Sequence, residues 1–87
     1  MASFASYERV LAHVMSVLQD ELDIFGGPDT DLQTGEIELD SFDKTNILLA
    51  AEDRWGIDLG EENIERKAWQ TPSTIAQMIW GLIDATA

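Results

Sequence analysis

Residues 39–56 read LDSFDKTNILLAAEDRWG, and the fold follows from them outward. Asp40 can accept a backbone N–H at a helix start, and Asp43 three residues on supplies the second half of a capping box. Gly56 stands where a helix C-cap glycine belongs. Between the caps, Leu48, Ala51 and Trp55 recur at steps of three and four and make a buried stripe, with Phe42, Leu49 and part of Ile47 on one side. The spacing predicts a helix from Asp40 or Ser41 to Trp55-Gly56.

Upstream, Phe4, Tyr7, Leu11, Val14, Leu18 and Leu22 share one helical face, broadened by Val10, Met15 and Val17, with Ser3 as the expected N-cap. A helix is predicted over 4–22. Gly26-Gly27-Pro28 then stops it, and Thr34-Gly35 marks a second turn. The stretch from Asp23 to Leu39 is a long connection for so short a chain. It needs pinning, and Ile24, Phe25, Leu32, Ile37 and Leu39 are apolar enough to supply it.

Downstream, Glu61 to Lys67 is expected to form a short helix. Thr71-Pro72 opens the last one, because Thr caps well and Pro suits the first helical position. Ile75, Met78, Ile79, Leu82 and Ile83 form its core face. No segment alternates with period two, so no sheet is expected. The chain reads as all-α: three main helices, one short helix and a long loop between the first two, in a single domain over 1–87.

Composition narrows the function. The 87 residues are 45% hydrophobic, ordinary for a globular chain, and carry 17 Asp and Glu against 5 Lys and Arg, a net charge of -12. That charge repels phosphate backbones and anionic lipid, so neither nucleic acid nor membrane is an expected partner, whereas basic protein surfaces are. The chain has no cysteine, hence no disulfide and no thiolate chemistry. No apolar run approaches the roughly 20 residues of a membrane span, and Met1-Ala2-Ser3-Phe4 lacks the basic start of a signal peptide, so a cytoplasmic protein is expected. Mutual repulsion of the carboxylates should strain the folded state at low salt. Moderate salt or a divalent cation is therefore expected to raise the melting temperature, and a melting temperature indifferent to both would show that the repulsion is unimportant.

Candidate chemistry is sparse. His13 is the only histidine and has no partner that spacing can name, so it reads as a boundary side chain and no serine triad can be assembled. Asp29-Thr30-Asp31-Leu32-Gln33-Thr34-Gly35 is acidic, but a calcium loop counted from Asp29 needs glycine at its sixth position, which is Thr34. It reads as a solvated loop, and no metal site is expected. Trp55 and Trp69 read as core, while Trp80 lies off the main stripe of its helix. The remaining signal is Ser41. It ends the long loop, opens a helix and sits among Glu36, Glu38, Asp40 and Asp43. With no base to activate it, such a hydroxyl suits modification by another enzyme better than nucleophilic catalysis, and the chain is not read as an enzyme.

In this layout Asp40-Ser41-Phe42 resembles the acyl carrier protein family, whose signature is Asp-Ser followed by an apolar residue at the start of the second helix. Helix, loop, serine, helix and short helix follow in the family's order over nearly the whole chain. The resemblance implies that a phosphopantetheinyl transferase attaches 4′-phosphopantetheine covalently to Ser41, and that the arm's thiol carries cargo as a thioester. It also implies a monomer whose partners dock on the acidic face, with Asp40, Asp43, Glu36 and Glu38 meeting basic groups and Phe42 and Ile47 either adding apolar contact or packing inside.

Two further stretches carry the resemblance. Trp55-Gly56-Ile57-Asp58-Leu59 looks like the turn after the second helix of carriers, although Gly60 stands where many have Pro. Glu65-Arg66-Lys67-Ala68-Trp69-Gln70-Thr71-Pro72 resembles D-alanyl carrier proteins, although Phe42 stands where those tend to have Met. This favours a small amino acid such as D-alanine as cargo, loaded by a separate ATP-dependent ligase and passed to a downstream acyltransferase or synthase. A carrier for fatty-acid or polyketide synthesis, or an unmodified acidic interaction module, stays open at this level.

Overall fold

The computed structural model describes residues 6–34, 37–65 and 68–86. Helix α1 spans Tyr7–Leu22, α2 spans Ser41–Trp55 and α3 spans Pro72–Thr86, with one 3-10 turn at Glu61–Glu65 between the last two. The all-α reading holds, and each main boundary has a chemical cause. Asp40 caps α2 in a reciprocal box with Asp43, and Gly56 closes it in the left-handed region at φ 64. The hydroxyl of Thr71 accepts the Thr74 N–H at 3.1 Å to start α3. At α1 the cap is Ser6, whose hydroxyl accepts the Arg9 N–H. That is the correction to the expected start: Ser3 and Phe4 lie outside the described residues, and capping geometry is met at Ser6.

The core is one cluster. Val10, Val14, Val17 and Leu18 enter it from α1, Ile47, Leu48 and Ala51 from α2, and Ile75, Ala76, Met78, Ile79 and Ile83 from α3. The buried face of α1 is therefore centred on its valines, while Tyr7, Leu11 and Leu22 are half-buried flanks. Helix α1 packs most extensively on α3, and α2 lies against both. Trp69 is buried as expected, with its indole N–H donating to the Asn63 carbonyl at 2.9 Å. Trp55 is only half-buried, and Trp80 is exposed.

The long loop is pinned, by a somewhat different set than its apolar residues suggested. Leu32 and Leu39 are buried in the core and Ile24 packs partly against it. Phe25 is 68% exposed and contributes no anchor, which corrects its expected role. Backbone bonds complete the attachment: the Leu32 N–H donates to the Gln70 carbonyl at 2.7 Å and the Ser73 N–H to the Pro28 carbonyl at 2.9 Å. A second correction lies here. Gln33–Thr34 (β1) and Ile37–Glu38 (β2) pair antiparallel, with Gln33 opposite Glu38 and Thr34 opposite Ile37. Two residues per strand are too few for a periodicity signal, and the ladder serves only to tighten the loop.

Candidate functional site at the start of helix 2

Ser41 is the first residue of α2, and everything around it fixes that position. Leu39, two residues before it, is 3% exposed, so the loop is clamped to the core just short of the serine. The Asp43 N–H donates to Asp40 Oδ1 at 2.8 Å and the Asp40 N–H donates to Asp43 Oδ2 at 3.4 Å, which sets the direction in which the helix begins. The Thr45 hydroxyl donates to the Ser41 carbonyl at 2.8 Å. Sequence reasoning gave Thr45 no part in the site, although its place four residues after Ser41 is the spacing for such back-bonding.

The Ser41 side chain is exposed, and among the described residues its hydroxyl has no hydrogen-bond partner. The other described serines are engaged. Ser6 caps α1, Ser16 donates to Asp20 and Ser73 shares a hydrogen bond with Tyr7. Ser41 is thus presented outward at a capped helix start, and no described residue hydrogen-bonds its hydroxyl. His13 is set against the far half of α2, beside Ala50 and Trp55. Nine residues separate Ala50 from Ser41, about 14 Å of helix rise. A phosphodiester on Ser41 fits this place. It would lie at the positive end of the α2 dipole, where an anion gains about 0.3–1 kcal/mol, although the capping carboxylates oppose it.

The other expected site residues divide. Asp40 is exposed and Asp43 half-buried beside Ser41, and Phe42 is 72% exposed. Glu38 belongs to β2, and Glu36 lies outside the described residues. Ile47 corrects its reading as a contact residue: it is 1% exposed and belongs to the core, because its position on α2 turns it toward the bundle beside Leu48. Leu49, which the spacing grouped with Phe42, is 54% exposed, as Phe42 is. Lys44 extends its ammonium over the Trp69 ring, 6.0 Å from the centroid, which ties the first turn of α2 to the segment before α3.

The chain is similar to a D-alanyl carrier protein from Bacillus licheniformis, 33% identical over 72 residues that cover 83% of this chain and 90% of that one. It belongs to the acyl and aminoacyl carrier protein family. No protein-family model matches the carrier, and no solved structure does. Carriers of this family hold cargo for other enzymes and are generally not catalytic themselves. None of the carrier's described helices is long and apolar enough to cross a membrane.

His13 has a structural role in this carrier. Its ring meets Trp55 edge-on, with centroids 5.0 Å apart and planes at 82°. Burial lowers its pKa below 6.5; the nearby Ala50 backbone opposes that, the positive charge of Arg54 adds to it and the negative charge of Glu21 opposes it. The unfolded state therefore takes up a proton first as pH falls. The stability that neutral His13 contributes is full above about 6.5 and is lost as pH drops toward the folded value. Between pH 7.5 and 5.5 the wild type should lose stability relative to His13→Phe, which keeps the edge contact and does not titrate. Parallel pH profiles for the two proteins, read by thermal melts, would contradict this.

Proposed function

We propose that this carrier holds a small amino acid, with D-alanine favoured, as a thioester on 4′-phosphopantetheine attached to Ser41. The observation that carries the reading is an exposed serine at the first position of α2 whose hydroxyl bonds to no described residue, in a chain one-third identical to a D-alanyl carrier protein. When attached, the arm supplies a terminal thiol that keeps a carboxylic cargo activated for transfer. The chain's own residues do the rest. Leu39 and the capping box hold the attachment point still, and the exposed carboxylate of Asp40, with Asp43 behind it, favours basic partner surfaces. Phe42 adds an apolar contact beside the serine.

In this reading a phosphopantetheinyl transferase installs the arm, an ATP-dependent ligase loads it and a downstream acyltransferase or synthase receives the cargo. Tethering raises the effective concentration of the cargo at whichever partner is docked. The bond chemistry belongs to those partners, which fits a Ser41 hydroxyl that no described residue hydrogen-bonds.

The cargo is tested by competitive loading of the arm-bearing protein in a lysate of its native host, read by mass spectrometry of the arm. An aminoacyl species is expected. A long acyl chain with no aminoacyl species would refute the amino-acid reading and leave the carrier role intact.

A further inference from the structure

The first turn of α2 holds a cation among carboxylates. Between Arg9 and Arg54 the chain has no Lys or Arg except Lys44. The Lys44 N–H donates to the Asp40 carbonyl at 3.1 Å, so its backbone is fixed in the turn that Asp40 and Asp43 cap. Its ammonium nevertheless forms no ion pair with a described carboxylate. It lies over the Trp69 ring, 6.0 Å from the centroid, which is the outer reach of a cation–π contact. The ring is the fixed half of this pair: Trp69 is 2% exposed and its indole N–H donates to the Asn63 carbonyl. The ammonium is the movable half, because it rides on a flexible four-carbon stem.

Lys44 follows Ser41 by three residues, a spacing that sets two side chains next to each other on a helix surface. We propose that Lys44 is a positioning residue for the arm: with 4′-phosphopantetheine on Ser41, its ammonium leaves the face of Trp69 and pairs with the phosphodiester. The inference rests on the Ser41 attachment proposed above. The surrounding charge selects this partner. A phosphodiester on Ser41 adds a negative charge beside Asp40 and Asp43, which repel it, and Lys44 is the cation on the same turn. An ammonium in contact with a phosphate oxygen is held more strongly than one 6.0 Å from a ring centroid. Arg54 cannot substitute, because it stands over Trp55 and thirteen residues from Ser41, about 20 Å of helix rise. The pairing has two consequences. The root of the arm is drawn to the side of α2 that carries Lys44, and Trp69 loses its covering cation, so bare and arm-bearing carriers differ at the segment before α3.

The test compares wild type, Lys44→Gln and Lys44→Arg, each bare and with the arm installed by a phosphopantetheinyl transferase and coenzyme A. Intact mass confirms attachment before any other reading. Gln matches Lys in helix propensity, so the first variant removes the charge and leaves the helix. In the wild type, attachment should move the nuclear magnetic resonance signal of the Trp69 indole N–H. In Lys44→Gln that signal should already be displaced in the bare protein and should not follow the arm, and Lys44→Arg should restore the response. Attachment should also lower the melting temperature of Lys44→Gln by about 2–4 °C more than that of the wild type, and the excess should shrink at about 1 M salt. A Lys44 that only packs on Trp69 would lower the bare and arm-bearing proteins equally. Arg54→Gln removes the same charge far from Ser41 and should respond to the arm as the wild type does. An unmoved Trp69 signal in the arm-bearing wild type, equal effects of the arm on wild type and Lys44→Gln, or the same excess in Arg54→Gln would each overturn the proposal and leave attachment at Ser41 standing. A wild type that gains no arm would instead remove the attachment reading, and this inference with it.

Discussion

Leu48→Ala is expected to destabilise the bundle by about 2–5 kcal/mol, while Leu49→Ala changes stability by no more than about 0.5 kcal/mol. The two residues are neighbours on one helix with the same side chain, so helix propensity and unfolded-state effects nearly cancel in the comparison. What differs is direction. Leu48 is 3% exposed beside Ile47 and Ala51 in the core, and Leu49 is 54% exposed. Truncating Leu48 removes buried methyl groups and leaves a cavity that the packed valines of α1 and isoleucines of α3 fill only in part. Truncating Leu49 trims surface already in contact with water. Equilibrium denaturation of the two variants decides it, and equal losses would mean that the rotation of α2 about its axis is wrong.

Ser41→Ala is expected to abolish attachment of the arm completely while leaving the fold as it is. Ser41 is the residue after the cap, and its hydroxyl bonds to no described residue, so its loss should cost no more than about 0.5 kcal/mol. Asp40→Ala gives the contrast, because it removes the oxygen that accepts the Asp43 N–H and should cost about 0.5–2 kcal/mol. Incubation of each variant with a phosphopantetheinyl transferase and coenzyme A, followed by intact mass and a thermal melt, separates chemistry from stability. A folded Ser41→Ala protein that still gains the mass of the arm would move the attachment site elsewhere.

The parts of this molecule governed by local chemistry were readable in the chain. Asp40, Asp43 and Gly56 set the ends of α2 through their own side chains and backbone freedom, and Thr71-Pro72 did the same for α3. The parts set by tertiary packing were less so. Periodicity gave a face to α1 but could not centre it on Val10, Val14 and Val17, because a broad apolar stripe leaves the rotation free by about one residue. It could not tell Phe25, which faces solvent, from Leu32, which is buried, since an irregular loop has no period at all. The separation of Ile47, which is buried, from Leu49, which is exposed, has the same origin. Three consecutive apolar residues on a helix leave open which one turns outward until a neighbouring helix is in place. The contact of Lys44 with Trp69 was invisible for that reason: the two are brought together only when α2 and the segment before α3 are in place.

The most direct test of the account is the intact mass of the wild-type chain before and after treatment with a phosphopantetheinyl transferase and coenzyme A, with the modified residue located by fragmentation. The account predicts a gain of one 4′-phosphopantetheine, carried on Ser41. A mass that stays unchanged under conditions that modify a known carrier, or an arm found on any other residue, would contradict it.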